Sequence, residues 1–176
     1  MAHLRDLEER PLYRIVGKTH PKVLEEDGDA YRESLRRRAE ELGVEDLVEF
    51  EDSYNDRDEL QRTIAGAHVI LLPYDSPDQV TSGVLIEAVA SSKAVISTSF
   101  PHAVELLGTG VGLLVPRQDP GAIADALRRV LTDPALHGRM VDGAAALAPS
   151  LSWTSVGDQY RSLASNLLSA RGVAVA

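Results

Sequence analysis

The 176-residue chain contains no cysteine, which excludes disulfide staples, thiolate zinc sites and a cysteine nucleophile. It also lacks any apolar run near the roughly 18 residues that would span a bilayer. Its opening, MAHLRDLEER, is charged where a signal peptide would be apolar, so a soluble, cytoplasmic protein is the expectation. Positive charge is scarce as well. Against 27 Asp and Glu there are 18 Lys and Arg, a net charge of −9. No basic stripe is left to displace counterions from nucleic acid, and any anionic ligand must be held by local groups. The one dense cationic cluster, Arg36 to Arg38, sits in AYRESLRRRAEELGVEDL, where glutamates alternate with arginines in the pattern of a solvated helix face.

With 44% hydrophobic residues, the length suits one ordinary domain with a sizeable core. Short β-rich apolar runs alternate with amphipathic stretches, the pattern of an α/β fold in which helices cover a parallel sheet. Expected strands are Leu12 to Val16, Leu47 to Glu51, Val69 to Pro73, Ala94 to Thr98 and Gly112 to Val115. Helices are expected to begin near Asp29, Asp56, Ser82, Ala103 and Pro120. The C-terminal part reads as helix after helix. Asp119 and Asp133 are N-cap candidates followed by Pro120 and Pro134, and Ser152 caps the last helix.

Several motifs are weaker than they look. GTGVG, Gly108 to Gly112, follows a helix and precedes a strand, the reverse of a dinucleotide-binding turn. LEEDGDAYRE runs straight into a helix, which suits Asp29 as a cap better than a calcium loop. The five histidines lack His-x-x-x-His spacing, and no serine sits in a Gly-x-Ser-x-Gly elbow. His20 and His102 stand apart, each beside a proline in a loop expected after a strand, at the edge of a parallel sheet where ligands bind.

The segment LLPYDSPDQVTSGVLIEAVAS carries the clearest chemistry. A nearly all-apolar strand leads through a polar loop to a helix start at the carboxyl edge of the sheet. Helix starts expose unpaired N–H groups and about +0.5 of an elementary charge, so Ser82, Gly83 and Val84 can present amides to an anion such as a diphosphate. Gly83 permits close approach, while Thr81 and Ser82 add hydroxyls that cap the helix or donate to phosphate. Glu87 lies one turn further on near the same face. Its carboxylate suits the adjacent hydroxyls of a ribose diol, although the spacing alone equally fits a solvent-facing acid.

With these residues in order, the chain resembles the C-terminal, donor-binding domain of retaining GT-B glycosyltransferases of group 1, family 4-like. The likeness runs from LYRIVGKTHP to SWTSVGDQYRSL, and its strongest block is LLPYDSPDQVTSGVLIEAVASSKAVISTSFPHAVELLGTGVGLLVPRQDPGAIADALRRVLTDP. The resemblance implies a Rossmann-like parallel sheet with helices on both faces and a helical C-terminal end. It implies a hexosyltransferase whose donor is a nucleotide-diphospho-sugar, a UDP- or GDP-sugar, with no metal or other cofactor. In the family's Glu-x7-Glu motif the second acid holds the ribose and falls on Glu87, while the first, near the reacting carbon, is replaced by Gln79. An amide there still hydrogen-bonds but carries no charge. The likeness places Ser82, Gly83 and Val84 at the diphosphate and Ser53 or Tyr54 near the nucleobase. Glu105 matches the acid after a Gly-Gly loop that is Pro101-His102 here, which makes His102 a candidate sugar contact.

The family's first strand, with its Arg and Lys, and its N-terminal acceptor domain have no counterpart in these residues. The expectation is a single donor domain over 1–176, a fragment, with Lys18 the nearby cation left to compensate. The acceptor, a sugar or lipid, and contact with the inner membrane face would come through the missing domain. The fragment alone is expected to be inactive. In the family order 3-2-1-4-5-6 the absent strand is central, so the strands at Leu12 and Val69 either pair directly or are completed by self-association. Two rival functions remain: a non-catalytic nucleotide-sugar-binding or interaction module, and a GT-B epimerase or phosphorylase.

Overall fold

The computed structural model describes residues 1–53, 56–76 and 78–170. All five expected strands form, as β1 (Tyr13–Val16), β2 (Val48–Glu51), β3 (Val69–Leu72), β4 (Ala94–Thr98) and β5 (Gly112–Val115). Around them lie α1 (Pro21–Asp27), α2 (Ala30–Glu41), α3 (Arg57–Gly66), α4 (Gly83–Ala90), α5 (Pro101–Leu107), α6 (Pro120–Thr132), α7 (Pro134–Leu147) and α8 (Trp153–Ala170). Helix starts follow their caps. The Asp119 and Asp133 carboxylates accept from Ala122 N at 2.8 Å and Leu136 N at 2.9 Å. Asp56 and Glu59 form a reciprocal capping box, and Ser152 accepts from Ser155 N at 3.1 Å.

Three details differ from expectation. α1 is an additional helix; its start is capped by His20, whose Nδ1 accepts from Lys22 N at 3.2 Å, and it ends on Gly28 at φ +59°. Asp29 precedes α2 but makes no side-chain cap, and α5 starts at Pro101 rather than near Ala103. The arginine-rich face of α2 is solvated in part, with ion pairs Arg36–Glu33 and Arg38–Glu41 at i,i+3. Within the same helix, however, Arg32 is buried.

Strand alternation sorts the core into two layers, one on each face of the sheet. Ile70, Leu72, Val95 and Leu114 pack with Leu85, Ala88, Val89, Phe100, Ala103 and Leu107 of α4, α5 and their approach. Val69, Leu71, Ala94, Ile96, Leu113 and Val115 pack instead with Ala126, Val130 and Met140 of α6 and α7. α7 contributes Leu136 and Met140 to one layer and Ala144 and Leu147 to the other, passing the amino ends of the strands beside His68 and Val111. β4, covered on both faces, is buried at all five positions.

The sheet itself is in two pieces. β1 pairs with β2, and β3, β4 and β5 form a separate sheet in that order, all neighbours parallel. Direct pairing of β1 with β3, one of the two closures expected from the sequence, is not what forms. The N-terminal segment spans part of the gap. Met1 and Ala2 pack on Ala39, Val44 and Leu47, while Arg128 of α6 holds Asp6 through two bonds of 2.7 and 2.9 Å and the His3 carbonyl at 2.6 Å. The guanidinium beside Asp6 holds its carboxyl below the ordinary carboxylate range.

Gly112 opens β5 because there is no space for a side chain: a Cβ there would lie 2.7 Å from Val95 O and 2.9 Å from a Leu107 methyl. Gly112→Ala is therefore expected to cost about 1 to 3 kcal/mol. A Cβ at Gly138, inside α7, meets nothing within 4 Å. Gly138→Ala should instead stabilise by roughly 0.5 to 1 kcal/mol. Paired denaturant melts check both signs.

Candidate functional site

The loop between β3 and α4 is fixed at the carboxyl edge of the sheet by polar groups at the end of β4. The Thr98 hydroxyl donates to the Tyr74 carbonyl at 2.6 Å, with the Leu72 carbonyl at 3.3 Å as a weaker second acceptor. Buried Phe100 lies 5.4 Å from the Tyr74 ring, centroid to centroid. The Tyr74 hydroxyl is 3.4 Å from Ser82 Oγ. Thr98, Tyr74 and Phe100 escaped the sequence reading; the signal was the pair Ser97-Thr98 closing an otherwise apolar, fully buried strand. A further tie runs from Gln118 Nε2 to Asp75 at 2.9 Å, which assigns that acid to loop structure.

Ser82 caps α4, its hydroxyl accepting from Leu85 N at 3.2 Å. Its own amide donates to Nδ1 of His102 at 3.0 Å, joining the starts of α4 and α5. This corrects the expectation that the Ser82 amide faces a ligand. An amide only donates, so Nδ1 carries the lone pair and the proton of the neutral imidazole resides on Nε2. Among the described residues nothing accepts from the amides of Gly83 and Val84. A Cβ on Gly83 would meet nothing within 4 Å, so the space before these two amides is open.

The other expected residues lie on α4, on α5 and in the loops after β1, β2 and β3. Glu87 is half-buried on α4, and among the described residues its carboxylate has no bonded partner. Thr81 is exposed, and its carbonyl accepts from Gln79 Nε2 at 2.8 Å. Gln79 thus braces its own loop, a bond that a carboxylate could not donate. Glu105 is exposed on α5. Ser53 Oγ donates to Glu51 at 3.0 Å beyond the end of β2, while Tyr54 lies outside the described residues. Lys18 is exposed after β1 and lines an open hollow with Thr19, His20, Pro21, Leu24 and Glu25. Lys18 therefore lies in a hollow lined by the loop after β1 and the start of α1.

Arg32 was missed because it sits in a run of surface arginines. It bonds the Gly17 carbonyl, reaches Thr19 Oγ1 at 3.4 Å and pairs with Asp52 at 3.6 Å, tying the loops after β1 and β2 together. Among the described residues no group of three or more His, Asp or Glu side chains is placed to hold a metal ion, and no helix is long and apolar enough to cross a membrane.

The family model described as glycosyl transferases group 1 matches residues 4–133. A D-inositol 3-phosphate glycosyltransferase of Streptomyces bingchenggensis is 32% identical over 158 residues, 87% of this chain and 33% of that protein. The corresponding protein of Corynebacterium urealyticum is 34% identical over 134 residues, 73% of this chain and 31% of that one. Among solved structures, sucrose-phosphate synthase of Thermosynechococcus elongatus superposes with a TM-score of 0.70 at 27% identity, covering 89% of this chain and 38% of that one. HepE of Anabaena, solved with UDP, shares the fold at a TM-score of 0.78 and 20% identity, over 93% of this chain and 43% of that one. The chain thus spans about a third of the length of the curated relatives it matches.

Long-range 15N–1H spectra of the imidazoles should show neutral His102 as the Nε2–H tautomer. Because Ser82 is only 4% exposed, His102→Phe strands its amide and should cost about 1 to 3 kcal/mol in a denaturant melt. An Nδ1–H tautomer would contradict the bond.

Proposed function

The chain belongs to the group 1 glycosyl transferases, and from this premise we propose that it forms the donor side of a transferase cleft. The ligand is a nucleoside diphosphate sugar, a UDP- or GDP-sugar, and transfer proceeds with retention of anomeric configuration to an acceptor held by the part of the relatives' length that lies outside this chain. The observation that carries the reading is the pair of unpartnered amides at Gly83 and Val84, with open space before Gly83, at the carboxyl edge of a parallel sheet.

In this reading the diphosphate lies against the first turn of α4, whose amides and helix dipole stabilise the charge that grows on the leaving group. Thr81 flanks the phosphate as a hydroxyl donor. Glu87, one turn along, accepts from the ribose diol, and with no bonded partner among the described residues it keeps both oxygens for that task. The Nε2–H of His102 donates to the sugar or a phosphate oxygen, replacing backbone contacts that a glycine pair would offer. Glu105 borders the sugar side. Ser53 flanks the base, and Lys18 supplies cationic charge from the β1 loop. The bond from Gln79 to its own loop favours a positioning role there over charge stabilisation. To that extent it supports the rival reading of a binding module without chemistry. Much of the rate would come from holding donor and acceptor at near-attack distance, worth about 7 to 11 kcal/mol, so the donor side alone should transfer no sugar.

Calorimetry with uridine diphosphate tests the assignment. Gly83→Val should abolish binding while leaving the melting curve in place, since the added methyls enter open space. Glu87→Ala should weaken binding by about 1.5 to 3 kcal/mol. Unchanged affinity in Gly83→Val would place the diphosphate elsewhere.

A further inference from the structure

α2 buries one arginine where the fold gains little from it. Arg32 is 7% exposed, while Arg36 and Arg38 of the same helix pair with glutamates at the surface. A buried guanidinium has to find an acceptor for each N–H and a partner for its charge, and this one finds neither in full. Nη2 donates to the Gly17 carbonyl, and Nε reaches Thr19 Oγ1 at 3.4 Å. The facing carboxylate, Asp52, stands off at 3.6 Å and is itself exposed. Nη1 is buried with no partner among the described residues. For stability alone, an apolar side chain would serve as well or better at this position.

What the arrangement secures is local geometry at the carboxyl edge of β1 and β2. Their ladder runs one residue past the strand, through Gly17 N to Glu51 O at 3.0 Å. The chain then turns at Gly17, φ +125°, a conformation that favours glycine, and the Gly17 carbonyl meets Arg32. Gly17 and Thr19 are thus held by one guanidinium, with exposed Lys18 bracketed between them. On the other loop Asp52 is followed by Ser53, whose hydroxyl donates to Glu51 at 3.0 Å, and Arg14 holds Glu51 in turn at 2.6 Å. A guanidinium fork serves both loops at once because its nitrogens diverge in one plane, which a lysine ammonium on a flexible stem does not match. We infer that Arg32 is a positioning residue for donor binding, setting the loops after β1 and β2 so that Lys18 and Ser53 act on one ligand. The inference rests on the donor reading above, in which those two residues meet the nucleotide. Arg32 is itself too buried to touch the ligand and acts through them.

Amide shift titrations of the 15N-labelled chain with uridine diphosphate test this role, since a Kd read from the resonances of folded protein is unmoved by a loss of stability alone. Arg32→Lys keeps the charge and removes the fork. It should raise the Kd about tenfold, and the milder Thr19→Val about threefold. Lys18→Met should also raise the Kd, yet add little in the Arg32→Lys background, because an ammonium no longer held in place has little left to lose. Losses that multiply as for independent sites would overturn the inference, as would full affinity in Arg32→Lys. Should Arg32→Lys fail to fold, Thr19→Val decides alone, an unchanged Kd overturning the inference. Binding that Gly83→Val abolishes and Arg32→Lys spares sinks this inference only, whereas no binding by the unaltered chain brings down the donor reading with it.

Discussion

The bond from the Ser82 amide to His102 Nδ1 holds the starts of α4 and α5 together across the carboxyl edge of the sheet. Its effect is selective. It consumes the amide of buried Ser82 and leaves those of Gly83 and Val84 without a partner among the described residues, with Leu85 N satisfied by the Ser82 hydroxyl. It also leaves the proton of the neutral imidazole on Nε2, which makes that nitrogen a donor. The packing beneath serves the same end: Thr98 and Phe100 secure Tyr74 where the chain leaves β3. Binding to such a loop requires little ordering, which is where preorganisation gains affinity.

Charge explains why amides matter here. At a net charge of −9 the chain repels an anionic donor at long range, and Lys18 belongs to a separate hollow at the end of β1. What remains near Gly83 is the partial charge of a helix start, worth typically ~0.3 to 2 kcal/mol and confined to the first turn. On the proposed reading, a site built this way binds weakly until further cations join it. Arg32 shows a different use of positive charge, spent on bracing two loops rather than on a ligand.

Elements with local causes were legible in the sequence. Apolar runs such as VILLPY and AVIST gave the strands, and Asp56, Ser82, Asp119, Asp133 and Ser152 marked helix starts because their side chains act on amides three residues away. α1 was missed since its cap is a histidine, outside the usual Ser, Thr, Asp and Asn, and its acidic run resembled a loop. The links that shape the site were not legible. Ser82 and His102 are twenty residues apart, and Arg32 and Gly17 fifteen, and no periodicity announces such a contact. The resemblance assigned Ser82, Gly83 and Val84 together to a diphosphate, and it could not tell that Ser82 spends its amide internally.

Backbone amide shifts of the 15N-labelled chain during titration with uridine diphosphate test the central claim most directly. The account predicts that the largest changes fall on Gly83 and Val84, accompanied by the His102 imidazole. Changes confined to Lys18, Thr19 and His20, with Gly83 and Val84 unmoved, would contradict it.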